Sequence, residues 1–279
     1  MLNEYIIPLP AEAEPVPFYA PMSEAFSHQV VARRQYLLRT VVMRADLIGL
    51  VVSGNKQLVT PEGGNVFVPG ELFVLPRGTQ WDVINDPAPQ GNYVARILTL
   101  QPEIAARFYQ RFSQFALLGP VRSFARVAGR NGIQEAFLRA VAALETAGSS
   151  AALREHRVLE VLLLLAEQAG VVLAPPSALS WTEKVQRLVA QRPHADWSTA
   201  GVAAALAVSV STLNRRLAQE GVTIAACVRD IRLDAALTLL QSSDRPVAVI
   251  AQDVGYVSHS KFTAAFRRRF GVVPSALRP

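Results

Sequence analysis

The chain has 279 residues, a formal net charge of +6, a hydrophobic fraction of 51% and a charged fraction of 18%. This composition is typical of a folded protein and excludes an intrinsically disordered chain. The length allows two domains with a core each. We find no run of roughly 20 apolar residues that would span a membrane and no secretory signal pattern. The only cysteine, Cys227, lies among apolar neighbours, so we expect a buried side chain, no internal disulfide and a cytoplasmic protein.

The first part of the sequence predicts an extended arm followed by β-strands. Five prolines near the N-terminus indicate an arm over residues 1–29. Between residues 30 and 100, short β-rich runs separated by turn residues predict a sandwich or barrel. These runs are YLLRTVVM, DLIGLVVSG, NVFVPG, ELFVLPRG and YVARILTL. Asn55, Gly63-Gly64 and Pro69-Gly70 mark the predicted hairpin bends.

Three helical patterns follow the strand region. They begin at Pro102, Ile133 and Ala151 and end near residues 112, 147 and 168. The third has an apolar side that consists of Val158, Val161, Leu162 and Leu165. This side either packs onto the barrel or pairs with a second copy of the chain, and the pattern leaves both open.

A linker with two adjacent prolines is predicted over residues 171–179. We therefore expect an N-terminal domain over residues 1–170 and a C-terminal domain over residues 180–279. The charge is divided in the same way, since residues 1–176 contain 15 Lys+Arg and 15 Asp+Glu, and residues 177–279 contain 13 and 7. A charge excess confined to one helical segment indicates a polyanion as partner. The alternative is a solvated basic face without a partner.

Two segments in the C-terminal domain share one design, Gly201–Gly221 and Val247–Gly271. Each predicts a short apolar helix, a tight break, a serine cap and a longer amphipathic helix. A long helix from about Ile224 to Ser242 joins them, and a capping box at Ser180–Glu183 begins a helix that ends before Pro193. Two helix-turn-helix units in one chain can lie along two successive major-groove faces. The predicted partner is therefore double-stranded DNA.

The longer helix of the first unit is capped by Ser209, and the 100° step between residues turns Val210, Leu213 and Leu217 toward the core. Its opposite side is the predicted DNA face. Expected base contacts come from Ser211, Thr212, Asn214 and Arg215, and an expected phosphate contact comes from Arg216. Arginine pairs with guanine and asparagine with adenine in the major groove. A surface ion pair is the alternative for Arg215.

The longer helix of the second unit begins at Ser258, a predicted N-cap and phosphate contact. Phe262, Phe266 and Phe270 form a predicted core stripe. The exposed side provides the expected base contacts Ser260 and Lys261, the candidate DNA contacts His259 and Ala264, and the expected phosphate contacts Arg267 and Arg268. Phosphate contacts fix register and affinity rather than sequence. For the histidine at the helix start, a locally satisfied side chain is the alternative.

The pattern from Ala203 to Pro279 resembles the DNA-binding domain of the AraC/XylS transcription regulators. The resemblance rests on VRDIRLDAALTLL, IAQDVGYVSHSKFTAAFRRRFG and GVVPSALR. It implies a homodimer, contact with RNA polymerase and one unit in each of two adjacent major grooves. The family's base-reading positions fall on Ser211, Asn214, Arg215, His259, Ser260, Lys261 and Ala264. The family often has a larger polar residue where Ala264 stands. Arg232 matches a structural position, which we expect to form an ion pair.

The run PGELFVLPRGTQWDV, from Pro69 to Val83, resembles the cupin-like sensor barrel of the same family. The predicted fold class is therefore α+β, with a cupin-like β-barrel followed by helices and then an all-α domain with two helix-turn-helix units. Metal-dependent cupins need histidines on the barrel strands. None of the four histidines lies between residues 30 and 100. We expect no metal, no cofactor and no catalytic residues.

Polar and aromatic side chains that can line a cavity are Tyr36, Arg39, Lys56, Arg77, Trp81 and Tyr93. Strand alternation does not say which of them face inward, so the effector-binding residues stay unknown. The favoured interpretation is a transcription regulator, most simply an activator, controlled by a small molecule in the barrel. The second keeps the DNA binding but places control with oligomerisation or a regulatory protein. The third, a barrel enzyme tethered to DNA, lacks catalytic residues.

Overall fold

The structure, a computed structural model, describes residues 25–60, 63–87, 89, 91–128, 132–177 and 179–278. Most of the predicted arm lies outside these ranges. Its last residues, 25–29, are wrongly assigned to the arm, because they begin the first strand. That strand pairs with a later one along its whole length, from Ala25 opposite Leu100 to Ala32 opposite Tyr93. The backbone groups of these residues are therefore used in a ladder.

Nine strands in the described ranges form two antiparallel sheets. Their bounds are β1 Ala25–Ala32, β2 Tyr36–Val42, β3 Asp46–Ser53, β4 Asn55–Thr60, β5 Gly63–Phe67, β6 Glu71–Leu75, β7 Gln80–Asp86, β8 Tyr93–Leu100 and β9 Ala125–Ala128. The first sheet has the order β1-β8-β3-β6-β9 and the second has the order β2-β7-β4-β5. The predicted runs contain β2, β3, β6 and β8 and the last three residues of β5. The bend predicted at Gly63-Gly64 is wrong, because both glycines pair with β4 as the first residues of β5. The other strands are absent from the prediction, apart from the last residues of β1, since β4 and β7 are rich in polar residues and β9 has only four residues.

The two sheets face each other, and the first sheet also packs against three helices on its outer face. These helices are α1 Pro102–Arg111, α2 Ile133–Glu145 and α3 Ala151–Ala169. The apolar side of α3 is buried in this outer core, where Val161 is fully covered and Leu165 is 1% exposed. Of the two interpretations of this side, the structure therefore shows packing within the chain.

The C-terminal part of the chain is helical, as the sequence predicts. Its helices are α4 Trp181–Gln191, α5 Thr199–Ala205, α6 Val210–Gln219, α7 Ile224–Ser242, α8 Val247–Asp253 and α9 His259–Phe270. The capping box at the start of α4 is present, with the Ser180 and Glu183 side chains each accepting from the other residue's main-chain N–H. The α+β fold class is confirmed. In the described part of the chain, no helix is long and apolar enough to cross a membrane.

The helix α7 takes part in two separate hydrophobic cores. Its first half, including Ile231, packs with α4, α5 and α6. Its second half, including Leu237 and Leu240, packs with α8 and α9 and also with the barrel interior. The second helix-turn-helix unit and the barrel therefore share one core, while the first unit has its own. The domain boundaries near residues 170 and 180 stay a prediction.

Candidate nucleic-acid interface and effector cavity

The first helix-turn-helix unit consists of α5 and α6, and its turn contains Ala207 in the left-handed region at a φ of 54°. The Ser209 hydroxyl caps α6, as predicted, by accepting from the main-chain N–H of Thr212 at 3.1 Å. The same hydroxyl lies 3.0 Å from the Ser211 hydroxyl and 2.9 Å from that of Thr212. Two of the predicted base contacts, Ser211 and Thr212, are therefore within hydrogen-bond distance of the cap.

The sides of α6 largely follow the predicted pattern. Leu213 and Leu217 are buried, whereas Val210 is 42% exposed. The prediction for Val210 is wrong because it is the first residue of α6, and the core cluster of the first unit does not extend to it. The exposed side carries Ser211, Asn214, Arg215 and Arg216, and Thr212 is half-buried.

The second unit consists of α8 and α9. The Ser258 hydroxyl caps α9 by accepting from the main-chain N–H of Lys261 at 3.3 Å. Phe262, Phe266 and Phe270 are fully buried, which confirms the core stripe. The side chains that remain exposed are His259, Ser260, Lys261, Ala264, Arg267 and Arg268.

The prediction of an ion pair for Arg232 is wrong. Its guanidinium donates to the main-chain carbonyls of Pro193 at 2.8 Å, Ala195 at 3.0 Å and Gly255 at 3.1 Å. A Cβ at Gly255, where φ is 88°, would lie 2.8 Å from Arg232 Cζ. The glycine therefore permits both the turn between α8 and α9 and the close approach of the guanidinium. Arg232 of α7 therefore ties the segment between α4 and α5 to the turn of the second unit through the backbone.

Five exposed cations on α6 and α9 make no ion pair within the ranges that the structure describes: Arg215, Arg216, Lys261, Arg267 and Arg268. The neighbouring Arg269 is different, because its guanidinium contacts Asp230 at 3.2 Å and Asp234 at 2.8 Å. Unpaired cations on the exposed side of a helix-turn-helix unit can neutralise phosphates at no cost in intramolecular ion pairs.

The barrel contacts α7 and α9 directly. Arg44, between β2 and β3, donates to Asp234 of α7 at 2.5 Å, and the Thr40 hydroxyl donates to the main-chain carbonyl of Arg269 at 2.7 Å. The Asp234 carboxylate is buried between the two guanidiniums of Arg44 and Arg269. Burial raises the pKa of Asp234, and the two arginines oppose this rise. This three-residue cluster connects the barrel, α7 and α9.

A cavity of about 170 Å³ lies inside the barrel and is closed on one side by α7. Its walls are mainly apolar. The polar side chains in the walls are His28, Lys56, Asn85, Tyr93 and Thr99 from the strands, Arg44 and Gln101 from the segments next to them, and Asp234, Thr238 and Gln241 from α7. The helix that joins the two helix-turn-helix units is therefore also a wall of the cavity.

Lys56 is a buried basic group in the wall of this cavity. It lies opposite Asn85 in the β4–β7 ladder, and Tyr36 lies opposite Asn85 on the other side. Lys56 Nζ donates to Asn85 Oδ1 at 3.3 Å and lies 5.2 Å from the centre of the Phe73 ring. Burial lowers the pKa of Lys56 to about 7. The ring of Phe73 has room because a Cβ at Gly49 would lie 2.0 Å from it.

Two further polar groups in the wall lack partners within the described part of the chain. Neither the Tyr93 hydroxyl nor Nδ1 of His28 has a hydrogen-bond partner there. Burial, together with the Arg96 guanidinium, lowers the pKa of His28 to about 4, and burial raises the pKa of Tyr93 well above its ordinary value. Both side chains are therefore neutral at neutral pH and available to a polar ligand. In the residues described here, no three His, Cys, Asp or Glu side chains form a metal-binding group.

Of the six side chains considered as cavity lining, Lys56 and Tyr93 line the cavity. Tyr36 lies beside it, and its hydroxyl accepts from Asn85 Nδ2 at 3.5 Å and from Gln241 Nε2 at 3.1 Å. The other three have structural contacts elsewhere: Arg39 lies next to Gly271, Arg77 pairs with Asp46 at 2.6 Å, and the Trp81 ring N–H donates to Thr79 at 3.0 Å.

The polar residues that α7 contributes to the cavity are not predicted from the sequence. Asp234, Thr238 and Gln241 are spaced i, i+4 and i+7 in a helix whose other residues in this half are mainly buried and apolar. The spacing of these three polar residues places them on one face of the helix, so the sequence contained the information that predicts a polar wall. The inward position of His28 could also have been predicted, because His28 alternates with Phe26 and Val30 on the inner side of β1.

Comparison with known proteins agrees with this geometry. Residues 202–279 match a family described as a helix-turn-helix domain. The transcriptional activator NphR from a Rhodococcus species is 27% identical over 259 residues, which is 91% of this chain and 75% of NphR. The urease operon transcriptional activator of Escherichia coli is 33% identical over 96 residues, which is 34% of this chain. The C-terminal part of the chain therefore matches a helix-turn-helix family, and most of the chain is similar to a transcriptional activator.

The chain matches only about a third of the length of some relatives, 32% for the urease operon activator and 31% for the regulator SirC of Salmonella typhimurium. Among solved structures, apo ToxT from Vibrio cholerae has a TM-score of 0.63 at 15% identity, with 91% of this chain and 96% of ToxT covered. ToxT with a bound unsaturated fatty acid has a TM-score of 0.60 at 14% identity, with coverages of 90% and 93%. This similarity shows that the barrel and the helical part share the ToxT fold.

Proposed function

We propose that this protein is a transcription regulator of the AraC/XylS type, which binds promoter DNA through α6 and α9 and responds to a small organic molecule in the barrel cavity. The observation that carries this proposal is that α7 belongs both to the DNA-binding part and to the cavity wall. It joins the two DNA-binding units, and it also forms a wall of the cavity. A ligand that contacts α7 therefore acts on the element that sets the position of both units.

The DNA contacts that we propose follow from exposure and charge. Base contacts come from Ser211, Thr212, Asn214, Arg215, Ser260 and Lys261, phosphate contacts come from Arg216, Ser258, Arg267 and Arg268, and further contacts come from His259 and Ala264. The 19 residues of α7 extend about 28 Å at 1.5 Å per residue. This length is comparable to the roughly 34 Å that separates successive major-groove faces.

The proposed control depends on hydrogen bonds between the barrel and α7. The Tyr36 hydroxyl accepts from Gln241 of α7 and from Asn85, and Asn85 in turn accepts from Lys56 inside the cavity. A ligand that engages Lys56 or Asn85 changes the partners available to Tyr36 and so changes how α7 is held. Several relatives are named as transcriptional activators, and ToxT has been observed with a fatty acid. We therefore propose activation in response to an effector.

The resemblance to the AraC/XylS regulators supports two further partners, a second copy of the chain and RNA polymerase. Because the apolar side of α3 is covered within the chain, a homodimer would use another surface. The relatives are transcriptional regulators, so we assign no catalytic activity to the barrel. The protein acts where the cell keeps its DNA, in the cytoplasm and on the nucleoid.

The proposal is tested by mapping the genomic sites that the full-length protein occupies and by footprinting it on the strongest of them. We expect two protected segments whose centres lie about one helical turn, 10–10.5 base pairs, apart. Equal affinity for these sites and for unrelated duplex DNA at physiological salt would refute sequence-specific regulation. A protein that copurifies in equal amounts and is required for site binding would instead place control with a regulatory partner.

A further inference from the structure

We propose that the barrel cavity takes a compact organic acid, with its carboxylate on Lys56 and a single ring or short chain among the apolar side chains around it. This inference rests on the proposed effector control and names the chemical class of the effector. Three independent features of the cavity support it: an unbalanced buried cation, unpartnered polar groups and a small volume.

The first feature is the buried ammonium group of Lys56. Lys56 is 8% exposed, and its polar contact is the neutral amide of Asn85. In the described ranges no carboxylate forms an ion pair with it. The carboxylate that lines the same cavity, Asp234, is already bound by Arg44 and Arg269. A buried ammonium without a counter-ion is unfavourable, and an anionic ligand supplies the missing charge.

The polar groups next to the apolar walls fit an acid better than a neutral ligand. The Tyr93 hydroxyl can donate to a carboxylate oxygen, as Lys56 can. His28, which is neutral at neutral pH, can donate through one ring nitrogen. The remaining walls offer mainly apolar contacts, among them Leu38, Phe73, Leu75, Val83 and Ile97. Such walls suit the hydrocarbon part of the ligand.

The volume limits the size of the acid. A dry protein cavity of about 150 Å³ holds one benzene ring, and this cavity has about 170 Å³. It therefore accommodates a ring that bears one acid group, or a short aliphatic acid. A chain of sixteen carbons does not fit into this volume without displacing the walls.

The test uses calorimetric titration of the full-length protein with benzoate and hexanoate, and with their uncharged counterparts benzamide and hexanamide. We expect at least one acid to bind at least about tenfold more tightly than its amide. Lys56→Met keeps an unbranched side chain that is one atom shorter and removes the charge, so it should abolish this preference. Lys184→Met is the matched control, because Lys184 lies in α4 over the Trp181 ring, outside the cavity.

The pH dependence separates Lys56 from the other groups that face the cavity. Above the lysine pKa of about 7 in the free protein, acid affinity should fall by up to about tenfold per pH unit, because the acid selects the protonated amine. His28 and Tyr93 do not titrate between pH 7 and 9. Arg44 and Asp234 are paired with each other. In Lys56→Met, both the preference for the acid over its amide and this pH dependence should therefore be absent.

Several outcomes would overturn the inference: neither acid binds, acid and amide bind equally, or Lys56→Met binds the acid as tightly as the wild type does. Tighter binding of hexadecanoate than of benzoate and hexanoate would refute the size assignment. Footprinting of the same preparations keeps the two proposals apart. If the wild-type protein binds its DNA sites specifically but binds no acid, only this inference is refuted. If it shows no specific DNA binding, the proposed function is refuted.

Discussion

Arg44 on the barrel donates to the buried carboxylate of Asp234 in the middle of α7 across 2.5 Å. The second oxygen of the same carboxylate accepts from Arg269 of α9. One side chain thus joins the barrel, the helix between the two DNA-binding units and the recognition helix of the second unit. Because the carboxylate is buried and each oxygen has its own guanidinium, it is a better candidate for a measurable contribution to stability than the surface pairs.

Asp234→Asn should destabilise the protein by about 3–5 kcal/mol, because it removes the buried negative charge that lies between the guanidiniums of Arg44 and Arg269. The measurement is the free energy of unfolding from urea titration. Asp230→Asn is the control, since Asp230 is more exposed and also pairs with Arg269; it should cost less than about 1 kcal/mol. Equal losses for the two variants would contradict the role given to Asp234.

Arg215→Ala should relax base preference at one position of the operator and cost about 1–3 kcal/mol in binding free energy, as expected for a bidentate contact with a base. The check is a binding assay over all single-base variants of a mapped site. Arg216→Ala, on the same helix, should weaken every variant to a similar degree. A uniform loss for Arg215→Ala would show that this side chain contacts phosphate.

Arg268→Ala should weaken binding to all sequences alike and reduce the slope of log affinity against log salt by about one. Arg268 is exposed on α9 and lacks an ion pair in the part of the chain that the structure describes. Affinities measured at four or more salt concentrations give the slope. A selective effect at one base pair, with an unchanged slope, would argue against a phosphate contact.

Lys56→Met should stabilise the ligand-free protein, and more at pH 7 than at pH 10. The lysine pKa is about 7 in the folded state and 10.5 as its model value, so the unfolded chain binds more protons across this interval. The cost of burying the amine is therefore full below pH 7 and declines as the pH rises, at about 1.4 kcal/mol per unit of pKa difference. Urea unfolding at several pH values provides the test.

Tyr36→Phe should loosen the second half of α7, because it removes the hydroxyl that accepts from Gln241 and Asn85. We expect faster amide hydrogen exchange there and a loss of about 1 kcal/mol in stability. Tyr109→Phe is the matched control, because the Tyr109 hydroxyl donates to the main-chain carbonyl of Leu173, far from α7. That variant should lose comparable stability without faster exchange in α7. Unchanged exchange in Tyr36→Phe would exclude the proposed coupling.

The sequence predicts the helical half well because its signals are local. Serine caps, the phenylalanine stripe of α9 and the bounds of α7 all depend on residues a few positions apart. The strands of the barrel are harder to predict from the sequence, because β4 and β7 have polar residues whose burial depends on distant partners. The cavity is the least predictable feature, since it brings His28 and Lys56 together with Gln241 from more than 180 positions later. The assignment of individual DNA contacts remains a prediction.

The separate core of the first helix-turn-helix unit gives the two halves of the DNA-binding part unequal freedom. The unit around α9 is fixed to the barrel through shared packing, whereas the unit around α6 is joined to the remainder mainly along α7 and α4. A target whose two half-sites deviate slightly from ideal spacing would then be accommodated by a shift of the α6 unit. Tolerance of operator sequence to insertion or deletion should accordingly be asymmetric, with the half-site under α9 acting as the fixed point.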